Sequence, residues 1–189
     1  MANKIKYGIK NCYYAKVTST SADGTLTYDT PVALPGAVSI SLAAQGSSNP
    51  FYADNVVYWK GTANNGYEGD LTLALIPDGF RKDILGETED AKGFFVEKAS
   101  DTPVEFALLF QFEGDEHATR HAFYRCSASR SSVEGNTKED AITPQTEAIT
   151  ISAMPRIKDE VIKARCPYTA STTSSYALWF SAVQEPTVA

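Results

Sequence analysis

Val104-Glu105-Phe106-Ala107-Leu108-Leu109-Phe110-Gln111-Phe112 is the most apolar strand-like run in the chain. Apolar residues at nearly every position mark a strand covered on both faces, and so a central one. On either side of it the pattern is a two-residue alternation. Ala37 to Ala43 (AVSISLA) is the cleanest case, with Val38, Ile40 and Leu42 on one face and Ser39 and Ser41 on the other. Ile5 to Lys10, Thr25 to Asp29, Ala122 to Ser129 and Thr146 to Ala153 alternate in the same way. Asp70 to Ile76 (DLTLALI) reads as a buried strand and Val161 to Cys166 as a last one. Asp23-Gly24 is a hairpin signal. One helix is expected, over Phe80 to Leu85, with apolar residues at 80, 84 and 85, Asp78 as N-cap and Gly86 as stop. Seven or eight strands and one short helix predict a mainly β fold, a β-sandwich or barrel with a helix at one flank.

Composition agrees. The chain has 189 residues, 43% hydrophobic and 21% charged, which is enough for one packed domain. Sixteen Ser, 18 Thr, 10 Tyr and 9 Phe against 2 Met lean towards strands. The formal net charge is −6. Residues 1–66 carry five Lys and three Asp, hence +2; residues 67–189 carry 12 basic and 20 acidic side chains, hence −8. An acidic chain of this kind is a poor phosphate-backbone binder. The opening MANKIKYGIKNCYY lacks the apolar core of a signal peptide. The long uncharged stretch from Thr30 to Ala53 is broken by Pro and Gly, so no membrane span is expected. Cys12, Cys126 and Cys166 are an odd, widely spaced set without CxxC, and reduced thiols are expected.

Two segments stand apart from the β-body. Gly46 to Gly69 (GSSNPFYADNVVYWKGTANNGYEG) is a long Gly/Asn/Ser-framed excursion with an apolar hairpin in it, and long ordered loops are usually functional. Its candidate interface residues are Asn49, Pro50, Phe51, Tyr52, Asp54, Asn55, Tyr58 and Trp59, since aromatic residues dominate interface energetics. The alternative is a loop that caps its own sandwich. Residues 168–189 form the second segment, a Ser/Thr linker followed by an apolar arm with Tyr176, Leu178, Trp179 and Phe180 as docking residues. Two readings of that arm stay open, a last core element or a contact between subunits. The β-body then spans residues 1–167.

No chemistry-bearing motif emerges. His117 and His121 have the i, i+4 spacing of a helical zinc site, but they lack its Glu and run into a strand, where they would lie roughly 13 Å apart. A GxSxG elbow, a P-loop and GxGxxG are absent. Glu113-Gly114-Asp115-Glu116 offers oxygen ligands but reads as a solvated acidic turn. Ser132 to Gln145 is a charged loop. No catalytic, metal-ligating or cofactor-binding residue is expected.

The ordered series of segments resembles the major tail proteins, or tail-tube proteins, of phages with long non-contractile tails that infect Gram-positive bacteria. The resemblance rests on MANKIKYGIKNCYYA, on Asn49 to Asn55, and on Gly66-Tyr67-Glu68-Gly69-Asp70-Leu71 leading through Ile76-Pro77 to Ile84-Leu85-Gly86. It rests most on Ala107 to Gly114 followed by Arg120-His121-Ala122-Phe123-Tyr124 and Ser132 to Thr137. It covers the chain to about residue 165. It implies a sandwich with a flanking helix, subunits closing into hexameric rings, and rings stacking into a tube. That tube would enclose a tape-measure protein, meet terminator and distal tail proteins, and pass DNA without specific binding. It implies a virion protein made in the host cytoplasm, needing no cofactor and no membrane. An acidic wall would repel DNA over a Debye length of roughly 8 Å. Other classes compatible with the residues are a carbohydrate-binding β-sandwich, another tail component such as a terminator or the tube of a contractile particle, and a small hydrolase.

Overall fold

The computed structural model describes residues 3–137 and 143–187. The chain runs β1 (Lys6–Thr20), β2 (Leu26–Tyr28), β3 (Val32–Ala33), β4 (Ala37–Gln45), β5 (Ser48–Ala53), β6 (Val56–Thr62) and β7 (Gly66–Leu73). Next come α1 (Asp78–Phe80, continuing as a π-helical turn over Arg81–Leu85), β8 (Thr88–Glu89), β9 (Phe95–Val96), β10 (Phe106–Gly114), β11 (Thr119–Ala128), β12 (Glu147–Ala153), β13 (Lys163–Cys166) and α2 (Thr173–Leu178). The fold is mainly β, as expected. The strand number exceeds expectation chiefly because β3, β8 and β9 are pieces of two residues, too short to show an alternation.

The main sheet is antiparallel and forks. One edge of β1 pairs with β10, and its other edge carries β2 and β3. β10 pairs with β11 along its length. The far edge of β11 is shared: Arg120 to Phe123 pair with β13, and Cys126 to Ala128 pair with β12. From β12 the sheet continues through β7 to β4. The β4–β7–β12 branch thus forms a second layer over the first. The result is a sandwich joined along one strand, with no closed barrel.

Burial explains the central run. Phe106, Leu108 and Phe110 point into the core between the layers, beside Tyr14, Leu71, Leu73, Ile149 and Ile151. Leu109 points the other way, into a second cluster with Ala122, Tyr124, Cys166 and Trp179. Both faces of β10 are covered, so the strand shows no alternation. Burying one such side chain is worth about 1.5–3 kcal/mol. The three cysteines are free and buried, and burial pushes the Cys12 thiol up to about 12.

Local details differ from expectation in three places. Val38 is exposed, whereas Ala37, Ile40 and Leu42 pack on the core. The register of β4 against β7 slips between Ala37 and Ser39, a bulge that turns Val38 out of the alternation. Asp78 does not cap α1; Pro77 occupies the N-cap and Asp78 lies in the first turn. Residues 173–178 of the expected linker and arm are helical. Gly86 does end the α1 segment, at φ 84°. Part of the Ser132–Gln145 loop, residues 138–142, lies outside the described residues.

The α1 segment closes one end of the sandwich. Phe80 meets Tyr14 and Phe106 edge-on, at 5.1 and 5.6 Å between centroids. The Tyr14 hydroxyl donates to Asp83 at 2.8 Å, and Glu147 accepts from the Ile76 amide at 2.7 Å and from Arg81 at 3.2 Å.

Candidate assembly surfaces

β5 and β6 pair only with each other among the described residues. Asp54 and Asn55 both have positive φ, 51° and 64°, and Ala53 faces Val56. A two-residue loop with both φ positive matches the right-handed twist of its strands, which is why this hairpin closes without glycine at the tip. At Gly61 a Cβ would overlap the indole of Trp59, so the missing side chain lets the ring lie along the strand. The cross-strand pair Phe51–Trp59 and the adjacent pair Tyr52–Val57 fall on opposite faces. All are exposed: Phe51 is 59% accessible, Trp59 62% and Tyr58, at the irregularity between these pairs, 73%. Asn49, Pro50, Asp54 and Asn55 are exposed too. Neither face of the hairpin rests on the sandwich. Isolated hairpins are marginal in water, and apolar patches of this kind mark contact sites.

The arm lies against the outer face of β1, β10, β11 and β13. Trp179 is 4% accessible, in the cluster with Leu109, Ala122 and Tyr124, and its Nε1–H donates to the His121 carbonyl at 3.3 Å. Tyr176 donates to the Ala118 carbonyl at 3.0 Å. Phe180 stacks on Tyr13 at 4.8 Å. Leu178 points away and is 54% accessible. Farther on, Tyr124 donates to the Gln184 carbonyl at 2.8 Å, and Glu185 pairs with the buried Arg156 at 3.4 Å. Thus Tyr176, Trp179 and Phe180 dock on their own chain, while Leu178 remains free.

A third surface went unnoticed in the sequence. The outer face of the β4–β7–β12 layer carries Ser39, Ser41, Glu68, Asp70, Thr150 and Ser152. Asp70 stands between Ser41 and Thr150, and accepts from the Thr150 hydroxyl at 2.8 Å. Glu68 stands between Ala43 and Ser152. The face has carboxylates and hydroxyls and no base among these positions. Its signal was the shared parity of polar residues in three strands, readable only once the strands are known to be neighbours. Many other carboxylates are held by cations: Arg125 grips Glu105 with both donors of its fork, Arg81 meets Glu87 and Glu147, and Arg130 meets Glu97.

Of the chemistry-bearing candidates, the acidic turn is pinned by the N-terminus: Asn3 accepts from the Glu116 and His117 amides and Asp115 accepts from the Lys4 amide. His117 packs on Tyr168 and His121 stacks on Phe110. No group of three or more metal-ligating side chains occurs among the described residues. No described helix is long and apolar enough to cross a membrane.

No curated protein matches the chain at a significant level. A forked sandwich with a bare aromatic hairpin and a hydroxyl-acid face fits a subunit made to polymerise. The family model described as phage tail tube protein matches residues 2–156, nearly the whole β-body, and the chain belongs to that family.

Proposed function

We propose that the chain closes into hexameric rings that stack through the β5–β6 hairpin, building the tail tube of a phage with a long non-contractile tail. Family membership makes it a structural tail subunit of the virion. The observation that carries the stacking reading is the hairpin itself: aromatic side chains exposed on both faces, with nothing among the described residues to cover them. Head-to-tail contacts between rings would bury it, and such heterologous contacts propagate.

The hydroxyl-acid face of β4, β7 and β12 suits the lumen. Glu68 and Asp70 repel phosphate, and short hydroxyl side chains leave a smooth surface. The tube then encloses a tape-measure protein during assembly, meets terminator and distal tail proteins at its ends, and conducts DNA. The subunit is synthesised in the host cytoplasm and works without catalysis or cofactor.

Negative-stain microscopy of concentrated purified protein tests the reading. Rings and stacked tubes are expected for the natural chain, and rings without tubes for a Phe51→Ser/Trp59→Ser variant. Compact monomers at every concentration of the natural chain would overturn it.

A further inference from the structure

The open end of the sandwich holds a cavity of about 360 Å³ between the two layers. Its walls are aromatic and its charged groups are cationic. The Lys6 ammonium sits 4.6 Å from the Phe112 ring centroid, and that of Lys163 sits 4.1 Å from Tyr67. Neither lysine has a carboxylate partner among the described residues. His121 faces the same space, stacked parallel to Phe110 at 5.3 Å. Burial, with Lys163, Lys6 and Arg165 nearby, pushes its pKa down to about 4 and keeps it neutral. The mouth therefore suits something apolar that carries negative charge.

The chain displays such a piece at its other end. The turn from Asp90 to Phe94 is rigid: Asp90 accepts from the Lys92 and Phe94 amides, both at 2.8 Å, and its own amide donates to the Phe94 carbonyl at 2.9 Å. It holds Phe94 in solvent at 63% accessibility, with Phe95 and Val96 also exposed. Before the ring, Glu87 pairs with Arg81 at 3.5 Å and Glu89 with Lys82 at 2.9 Å, the latter an exposed pair worth little in water. Asp90 has no cationic partner among the described residues. This loop is tied to the far end of β11 through Glu97–Arg130 at 3.0 Å. His121, in the mouth, lies seven residues before Ala128, a span of about 23 Å along the strand. One chain cannot bring the two together.

We propose that the mouth bearing Lys6 and Lys163 receives the Glu89–Phe95 turn of a second copy of this chain. Phe94 fills the aromatic cavity, the Asp90 carboxylate meets one ammonium group, and Glu89 exchanges its exposed pair with Lys82 for the other. A turn already fixed in its bound shape loses little freedom on docking. The contact joins opposite ends of two subunits, so it is head to tail and repeats. It rests on the polymerisation reading above, but not on the hairpin.

Zero-length carbodiimide coupling of polymerised protein, made from equal parts isotope-labelled and unlabelled chain, tests it. The expected product is a mixed-isotope peptide pair joining Lys6 or Lys163 to Glu89 or Asp90. Coupling of these lysines only to other segments, such as Asp54 of the hairpin, or no coupling within formed tubes, overturns it. A Phe94→Ser variant with unchanged thermal unfolding should need about tenfold more protein to assemble, and assembly like the natural chain overturns the proposal. The two readings fail separately: loss of tubes in Trp59→Ser alongside an unaffected Phe94→Ser leaves the hairpin standing and removes the mouth.

Discussion

The guanidinium of Arg120 lies between two rings of the arm, 3.8 Å from the Tyr176 centroid and 4.7 Å from that of Phe180, and it also donates to the Tyr176 carbonyl. A strand residue thereby clasps the C-terminal segment from below. Together with Arg156–Glu185 it fastens the arm at two points.

Trp179 carries the arm's apolar docking. Trp179→Ala should cost about 3 kcal/mol in denaturant unfolding, because Leu109, Ala122 and Tyr124 lose their cover. Leu178→Ala, at an exposed position, should stay within about 0.5 kcal/mol. Truncation before Tyr168 should lower stability and weaken polymerisation; sedimentation reads the second effect.

The hairpin should behave in the opposite way. Phe51→Ser or Trp59→Ser removes no cover from the sandwich core, so monomer unfolding should shift by less than about 0.5 kcal/mol. Tube formation, followed by light scattering, should be lost. A large drop in monomer stability would mean that the hairpin packs on its own sandwich.

These two segments show how far the sequence could be read. The buried run of β10, the hairpin in residues 46–69 and the Gly86 stop were legible because each depends on local pattern. Whether the apolar stripe Tyr176 to Phe180 was core or contact was not, because Leu109 and Tyr124, which decide it, are more than 50 residues away. The exposure of Val38 was hidden for a related reason: a bulge is a relation between two strands. The forking of β11 left no local trace at all.

Gly69 is boxed between Leu42 and Ile151, and a Cβ there would overlap the Ser41 carbonyl oxygen. Gly69→Ala should cost about 3 kcal/mol or prevent soluble accumulation. Thermal unfolding beside a neighbouring Thr72→Ala control checks it.

His121 should make stability fall in acid. Its folded pKa is depressed from 6.5 to about 4, so the unfolded chain binds a proton that the folded chain refuses. The contribution is whole above pH 6.5 and is lost as pH falls towards 4, by about 2 kcal/mol after allowing for partial exposure. The difference between the natural chain and His121→Phe, measured across that window, should carry this slope.

Glu68→Lys/Asp70→Lys reverses the charge of the proposed lumen without touching the core. Tubes should still form, and should now retain double-stranded DNA in a manner that falls steeply with salt. Natural tubes should not. DNA retention by both, or by neither, would assign the lumen to another face.

The fork of β11 has a mechanical consequence. The strand β11 belongs to both layers through backbone pairing: Thr119 to Cys126 run along β10, and Cys126 to Ala128 along β12, with Cys126 paired on both edges. A pull on the β4–β7–β12 layer therefore passes into the first layer through a row of amides, which resist shear, as well as through the softer contacts of side chains. A cylinder built from such subunits can flex where subunits meet while each wall element keeps its shape.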